Sequence, residues 1–151
     1  MNRRGTMWLS EGQRIANALL KLLDPLCERI TVAGSIRRQT PEVRELDLVL
    51  IPKPLTDIVG TLQRSLGAKV VKQGSKVVNL LIDGVGVDLN YANWDNFSAL
   101  LFFRTESEAH NTRLAAKARR MGLRFSPYGV FTEEGTFRVL EEAFRAPEER
   151  E

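Results

Sequence analysis

Residues 32–52 read VAGSIRRQTPEVRELDLVLIP, and the reading of the whole chain turns on them. One apolar run closes on Gly34 and Ser35, Arg37 and Arg38 follow, and a second apolar run opens at Glu45. The pattern predicts a strand, a glycine turn, a basic turn and a second strand. Glu45 and Asp47 stand two apart, so the period of a strand puts both carboxylates on one face while Leu46, Leu48 and Leu50 face the other way. Glycine at 34 lets backbone approach a ligand closely, and the two arginines place cations beside it, a setting that suits a phosphate-bearing ligand. Together with Asp88 further on, these residues suggest a carboxylate metal site next to a cradle for a polyphosphate.

Asp88 enters through a hairpin. Asp83-Gly84 between two apolar runs is a two-residue turn that needs positive φ, and VGVDLNY after it, residues 85–91, reads as a strand. Val85, Val87 and Leu89 fall on one face, with Gly86, Asp88 and Asn90 on the other. Asp88 is then either a solvent-facing strand aspartate or, if the strands are neighbours, a third carboxylate beside Glu45 and Asp47.

Before the opening stretch, Ser10 and Gln13 form a capping-box pattern. Ile15, Leu19, Leu22, Leu23 and Leu26 then recur at helical spacing, with a kink or restart at Pro25. After it come a helix over about 56–66 and strands over 69–72 and 76–82. A further helix over 94–104 carries Phe97, Leu100, Leu101 and Phe103. Thr105 and Glu108 make a second capping box, opening a helix to Met121 that stops before Gly122. Along that helix Arg113, Lys117 and Arg120 share one face, with Arg119 and Arg124 nearby, while Leu114, Ala118 and Met121 point inward. The stripe is either a solvated face or a phosphate-backbone track. His110 reads as a surface or packing residue. A short strand pair broken at Pro127 and a last helix around 137–145 complete the chain.

With 151 residues, 43% of them hydrophobic, the chain can bury a core of its own. Its single cysteine, Cys27, excludes an internal disulfide and a cysteine-rich zinc site and reads as a small buried hydrophobe. No apolar run approaches the ~20 residues of a membrane span, and the first seven residues lack the apolar core of a signal peptide, so a soluble, intracellular protein is expected. The net charge is only +3. That balance is compatible with nucleic acid, but the distribution of charge carries the signal rather than its sum.

Taken together, these motifs resemble the family X DNA polymerases, the nucleotidyltransferases that include DNA polymerase beta. GSIRR at 34–38 looks like the family's Gly-Ser-x-Arg-Arg, and ELD at 45–47 stands where the family has Asp-x-Asp. VDL at 87–89 looks like the strand of the third aspartate. FRTESEAHN at 103–111 is similar to the Tyr-Phe-Thr-Gly-Ser element with its later Asn, and GLRFSPYGVF at 122–131 resembles the thumb. The resemblance implies an α+β fold in two parts: a nucleotidyltransferase palm over 1–104, its mixed or antiparallel sheet packed on helices, and a small, reduced α/β thumb over 105–151. It implies that Gly34, Ser35 and Arg38 hold the β and γ phosphates of a nucleoside triphosphate. Glu45, Asp47 and Asp88 would be catalytic and ligate two Mg²⁺ or Mn²⁺ ions, Asp88 nearest the primer 3′ hydroxyl. Phe103, Thr105 and Ser107 would line the sugar, Asn111 would reach the base, and Arg113, Lys117 and Arg120 would meet the DNA backbone.

On that footing the chain is expected to be a monomeric, metal-dependent enzyme of the cytoplasm or nucleoid, with no membrane partner, that extends a DNA primer or fills short gaps in repair. Transfer of a nucleotide to a protein or small molecule, and non-catalytic binding of nucleic acid, are the competing readings. Three departures from the family stand out. The family's amino-terminal lyase domain and fingers have no counterpart before residue 32, Glu45 replaces the first aspartate, and Arg104 and Glu106 replace the Phe and Gly of the sugar-contacting element. A bulky residue at 106 narrows the backbone's conformations there, which predicts weak discrimination against ribonucleotides, within a factor of about 100.

Overall fold

The structure is a computed structural model that describes residues 7–105, 108–132 and 137–138. It begins with the two-residue strand β1 (Met7–Trp8) and helix α1 (Leu9–Leu23), whose 3.6-residue period buries Gly12, Ala16, Leu19 and Leu23. The helix starts ahead of the expected capping box: Trp8 is the N-cap and no side chain caps it. The amide of Leu9 donates to the Pro41 carbonyl at 2.9 Å, so a tertiary contact satisfies the first amide of the helix, one residue ahead of the expected cap. Pro25 opens a 3₁₀ turn over Asp24–Leu26, near whose start its missing N–H leaves no bond unmade.

Strand β2 (Cys27–Ala33) runs into a single helical turn, α2 (Gly34–Arg37), where a plain turn was expected. Gly34 enters it at φ +64°, in the left-handed region. The short β3 (Glu42–Val43) pairs antiparallel with β1, a pairing that two-residue strands do not announce in sequence. Next come β4 (Glu45–Pro52) and α3 (Ile58–Leu66). The Asp57 side chain accepts from the Gly60 amide and sets the start of α3, later than the expected residue 56, and Gly67 at φ +65° ends it.

Strands β5 (Lys69–Gln73), β6 (Val77–Ile82) and β7 (Val85–Tyr91) follow, with Asp83 and Gly84 both at positive φ in the predicted hairpin turn. The main sheet has the order β2-β4-β7-β6-β5, with β4 and β7 parallel and every other pair antiparallel. A parallel pair needs a crossover, and α3 with the β5–β6 hairpin supplies it. The architecture is α+β with a mixed sheet.

Alternation along the strands decides what covers each face. Leu46, Leu48, Leu50, Val78, Leu80, Val87 and Leu89 form one buried layer with Leu19 and Leu23 of α1 and Ile58 and Leu62 of α3. On the opposite face Ala33, Val49 and Ile51 lie against Phe97 and Leu100 of α4 (Phe97–Thr105). Burying one such large side chain contributes about 2 kcal/mol. The helix begins at Phe97 rather than at the expected residue 94, because the Asn93 side chain accepts from the amides of Asp95 and Asn96 and folds that stretch into a turn.

Helix α5 (Glu108–Arg120) leads through Gly122, at φ +74°, to a three-stranded antiparallel sheet of order β10-β9-β8, with β8 Leu123–Ser126, β9 Gly129–Thr132 and β10 Phe137–Arg138. Three expectations change here. Thr105 is the last residue of α4 and 1% exposed, so it is not the free cap of a new helix. Met121, expected inside, is 56% exposed. The expected helix around 137–145 begins as strand: Phe137 pairs with Phe131 and Arg138 with Val130, which uses the edge of β9, and residues 139–145 lie outside the described residues. Among the described residues no helix is long and apolar enough to cross a membrane.

Candidate active site

The register of β4 on β7 builds the acidic edge. Glu45 lies opposite Gly86 and Asp47 opposite Asp88, on the face that α4 covers only farther along, over Val49 and Ile51. Adjacent strands stand ~4.8 Å apart, so the Asp47 and Asp88 side chains are immediate neighbours. A Cβ at Gly86 would already touch Glu45 Cγ at 3.4 Å; the glycine leaves space for the longer glutamate stem. Across the other seam Asn79 of β6 faces Asp88, and its Nδ2 donates to Asp88 Oδ1 at 2.6 Å. Asn90, on the same strand and 1% exposed, donates to the Leu48 carbonyl at 3.0 Å and ties β7 to β4 behind the carboxylates.

Crowding of acids in a half-buried place shifts the titration of Asp47 and Glu45. Burial first, then the negative charges of Asp88 and Glu45, push the Asp47 carboxyl up to about 7, with the Arg104 guanidinium acting in the opposite direction. Glu45 is also raised, chiefly by a hydrogen bond with Asp88, then by burial and the Asp88 charge, against the pull of Arg44. Burial and their acidic neighbours thus make Asp47 and Glu45 hold their protons more tightly than ordinary carboxyls do. A divalent cation in place of those protons fits this donor set, because Mg²⁺ and Mn²⁺ favour hard carboxylate oxygens. Among the described residues no group of three or more His, Cys, Asp or Glu side chains is already set to hold a metal ion, and Glu45, Asp47 and Asp88 form an open row along two strands.

The extra methylene of Glu45 moves its carboxylate by roughly a bond length, which matters most to Mg²⁺ with its demand for near-ideal octahedral geometry. Manganese should therefore be the better activator of any transfer the site performs. Glu45→Asp is expected to raise Mg²⁺-supported activity relative to Mn²⁺-supported activity by several-fold, and an unchanged ratio would remove Glu45 from the ligand set.

Gly34 stands directly against this row. A Cβ there would collide with the Asp47 carboxylate, so the position needs glycine for its left-handed φ and for its closeness. Ser35 follows in α2, Arg37 is half-buried, and Arg38 is exposed, its amide donating to the Gly34 carbonyl at 3.1 Å. The predicted juxtaposition of a glycine turn and the carboxylates is present.

Beside Asp47 opens a cleft of about 420 Å³ lined also by Phe103 and Arg104 of α4 and Glu108, Asn111, Thr112 and Ala115 of α5. Of the residues expected around a sugar and base, Phe103 and Asn111 are in this cleft. Thr105 is not: its hydroxyl is buried beneath, without a hydrogen-bond partner among the described residues. Ser107 and Glu106 lie outside the described residues. Asn111 Nδ2 donates to the Phe103 carbonyl at 2.8 Å, so one of the amide hydrogens expected to reach a base instead fastens α5 to the end of α4. Arg113, Lys117 and Arg120 are exposed along α5, opposite the buried Leu114 and Ala118. His110 packs its ring 5.9 Å from Phe102.

Two participants escaped the sequence reading. Arg104 was visible only as a departure from the resembled motif, and the sequence signal for Asn79 was a lone polar residue in an apolar strand. The chain matches no family model and no curated protein.

Proposed function

We propose that the chain is a divalent-metal-dependent nucleotidyltransferase of the family X DNA polymerase kind, adding nucleotides from nucleoside triphosphates to the 3′ end of a DNA primer and filling short gaps. The observation that carries this reading is the pairing of Asp47 with Asp88 on neighbouring parallel strands, with Gly34 packed against the Asp47 carboxylate. Glu45, Asp47 and Asp88 would hold Mg²⁺ or Mn²⁺, which when bound neutralises charge on the phosphates and orders the reacting oxygens.

The chain's own groups do the rest. The backbone around Gly34 approaches the phosphates without a side chain in the way, and Arg38 supplies a cation at the end of the same turn. Asn79 holds Asp88 Oδ1 and so fixes which way that carboxylate presents its second oxygen. The Phe103 ring gives the cleft an apolar wall against which a sugar can lie. Primer extension on single-stranded, recessed and gapped DNA, with each nucleotide and with Mg²⁺ or Mn²⁺, tests the reading. Extension dependent on the metal is expected, and no incorporation on any of these substrates would overturn it.

Contact with DNA falls to α5. With a net charge of only +3, binding by the stripe of Arg113, Lys117 and Arg120 should be weak and sensitive to salt. Replacing Arg113 and Lys117 by Ala is expected to lower the slope of log affinity against log salt by about two, one for each lost phosphate contact. An unchanged slope in a fluorescence-anisotropy titration would assign the stripe to solvent.

A further inference from the structure

Strand β2 stands at one end of the main sheet. It pairs with β4 along one edge, and among the described residues no strand takes the other. An open edge carries a row of unpaired backbone donors and acceptors, which proteins commonly blunt with lysine, proline or a bulge. The other outer strand, β5, has two of these defences: Lys69 and Lys72, and a shift of register between Val70 and Lys72. In β2 the shift lies back between Cys27 and Arg29, and Ile30, Thr31 and Val32 beyond it are half-buried and carry neither charge nor proline.

Beside this edge runs a groove of about 370 Å³. One wall is a single stripe of α1, Gln13, Ala16, Asn17 and Leu20, spaced i, i+3, i+4 and i+7. Thr31 and Val32 form the facing side, and α2 closes one end with Ile36 and Arg37. A Cβ at Gly12 would come within 2.7 Å of Ile36 Cδ1, so α2 stands at the Gln13 end of the stripe. From Gln13 to Leu20 the helix rises about 10 Å, the length of roughly three residues of an extended chain.

A helix face beside an open strand edge suits an extended peptide that adds as a further strand, its main chain bonding the edge and alternate side chains entering the groove. Ala16 leaves room there for a β-branched side chain, and the exposed carboxamides of Gln13 and Asn17 can both donate and accept. Arg37, half-buried, is the only charged side chain among the described residues that line the groove, so an acid is favoured at that end and a cation repelled. Arg29 is turned elsewhere, its guanidinium 4.1 Å from the centre of the Phe97 ring. A nucleic-acid strand would look for a run of cations along its backbone, and this groove supplies one.

We infer that the free edge of β2 is a docking site for an extended, acidic segment of a partner protein, which adds as a further strand and sets a carboxylate side chain at Arg37. The site does not depend on nucleotide transfer.

The test uses the full chain and two pools of fluorescent hexapeptides, acetylated and amidated. Each position is valine, threonine or an acid in one pool, and valine, threonine or a base in the other. Anisotropy should rise with the acidic pool alone, and hydrogen exchange should slow about tenfold or more at the β2 amides that do not donate to β4. Arg37→Gln and Asn17→Glu should each weaken binding by about tenfold, the scale of one charged hydrogen bond. Asn17 is exposed on α1, so its variant should keep the parental melting temperature. The inference is overturned by an acidic pool that does not bind, by equal binding of both pools, by an affinity that neither substitution changes, or by binding that leaves β2 exchange unaltered. Protection of those amides by oligothymidine rather than by peptide would make the occupant a nucleic acid, and protection that grows with protein concentration alone would make it a second copy; either result also overturns it.

Discussion

Asp47→Asn and Asp88→Asn are each expected to lower nucleotide transfer by about a thousandfold or more, which corresponds to roughly 4 kcal/mol of lost transition-state stabilisation. Each substitution removes one negative charge from the row and changes almost no volume, so the strands should keep their register. The Asp88 amide can still sit beside Asn79, and neither side chain belongs to the two apolar layers. What disappears is a hard anionic oxygen for a divalent cation, for which an amide is a poor replacement. The measurement is single-turnover primer extension beside a thermal melt. Near-parental turnover in either variant, with an unchanged melting temperature, would show that the metal site has been placed on the wrong residues.

The second large effect runs in the opposite direction and needs no catalysis. In the folded chain Asp47 holds its proton up to about 7, against an ordinary value of 3.8. A carboxyl raised in this way stabilises the fold fully below about pH 4, and that stabilisation is lost as pH climbs through about 7. Each tenfold change in proton affinity is about 1.4 kcal/mol, so several kcal/mol of stability is at stake. In EDTA the parent should melt lower at pH 8 than at pH 5. Asp47→Asn carries no proton to lose, and at pH 8 in EDTA it should melt above the parent by about 5–10 °C, given 2–4 °C per kcal/mol for a domain of this size. Mn²⁺ should reverse the order, because only the parent gains from the ion. A variant no more stable than the parent at pH 8 without metal would mean that Asp47 is neither buried nor crowded by the other carboxylates as the structure has it.

Which parts of this arrangement could be read in advance follows from how local their causes are. The alternation of Glu45, Leu46, Asp47 and Leu48 fixes the two faces of β4, because a strand's period is a property of the backbone itself. The positive φ of Asp83 and Gly84 follows from their own chemistry in a tight hairpin. Other features depend on which strand lies beside which. The bond from Asn79 to Asp88 exists because β6 pairs with β7 in one register, and nothing near residue 79 states that register. Arg104 influences Asp47 because α4 crosses the sheet at Phe97 and Leu100 and delivers its last turn to the acidic edge. The start of α1 was misread for the same reason: its first amide is satisfied by Pro41, across the fold, rather than by a neighbour in sequence.

The parallel pairing of β4 with β7 has a kinetic meaning. Neighbouring antiparallel strands can zip from a tight turn, but these two meet only after the chain has wandered through α3 and the β5–β6 hairpin, a long loop closed at an entropic cost before any contact rewards it. Until that closure Glu45 and Asp47 are a solitary diad and Asp88 is a lone acid, so no form in which that pair is still open carries the complete row. The mutual repulsion of the acids, and whatever a cation gives back, therefore come into force together, at the moment the two halves of the sheet lock.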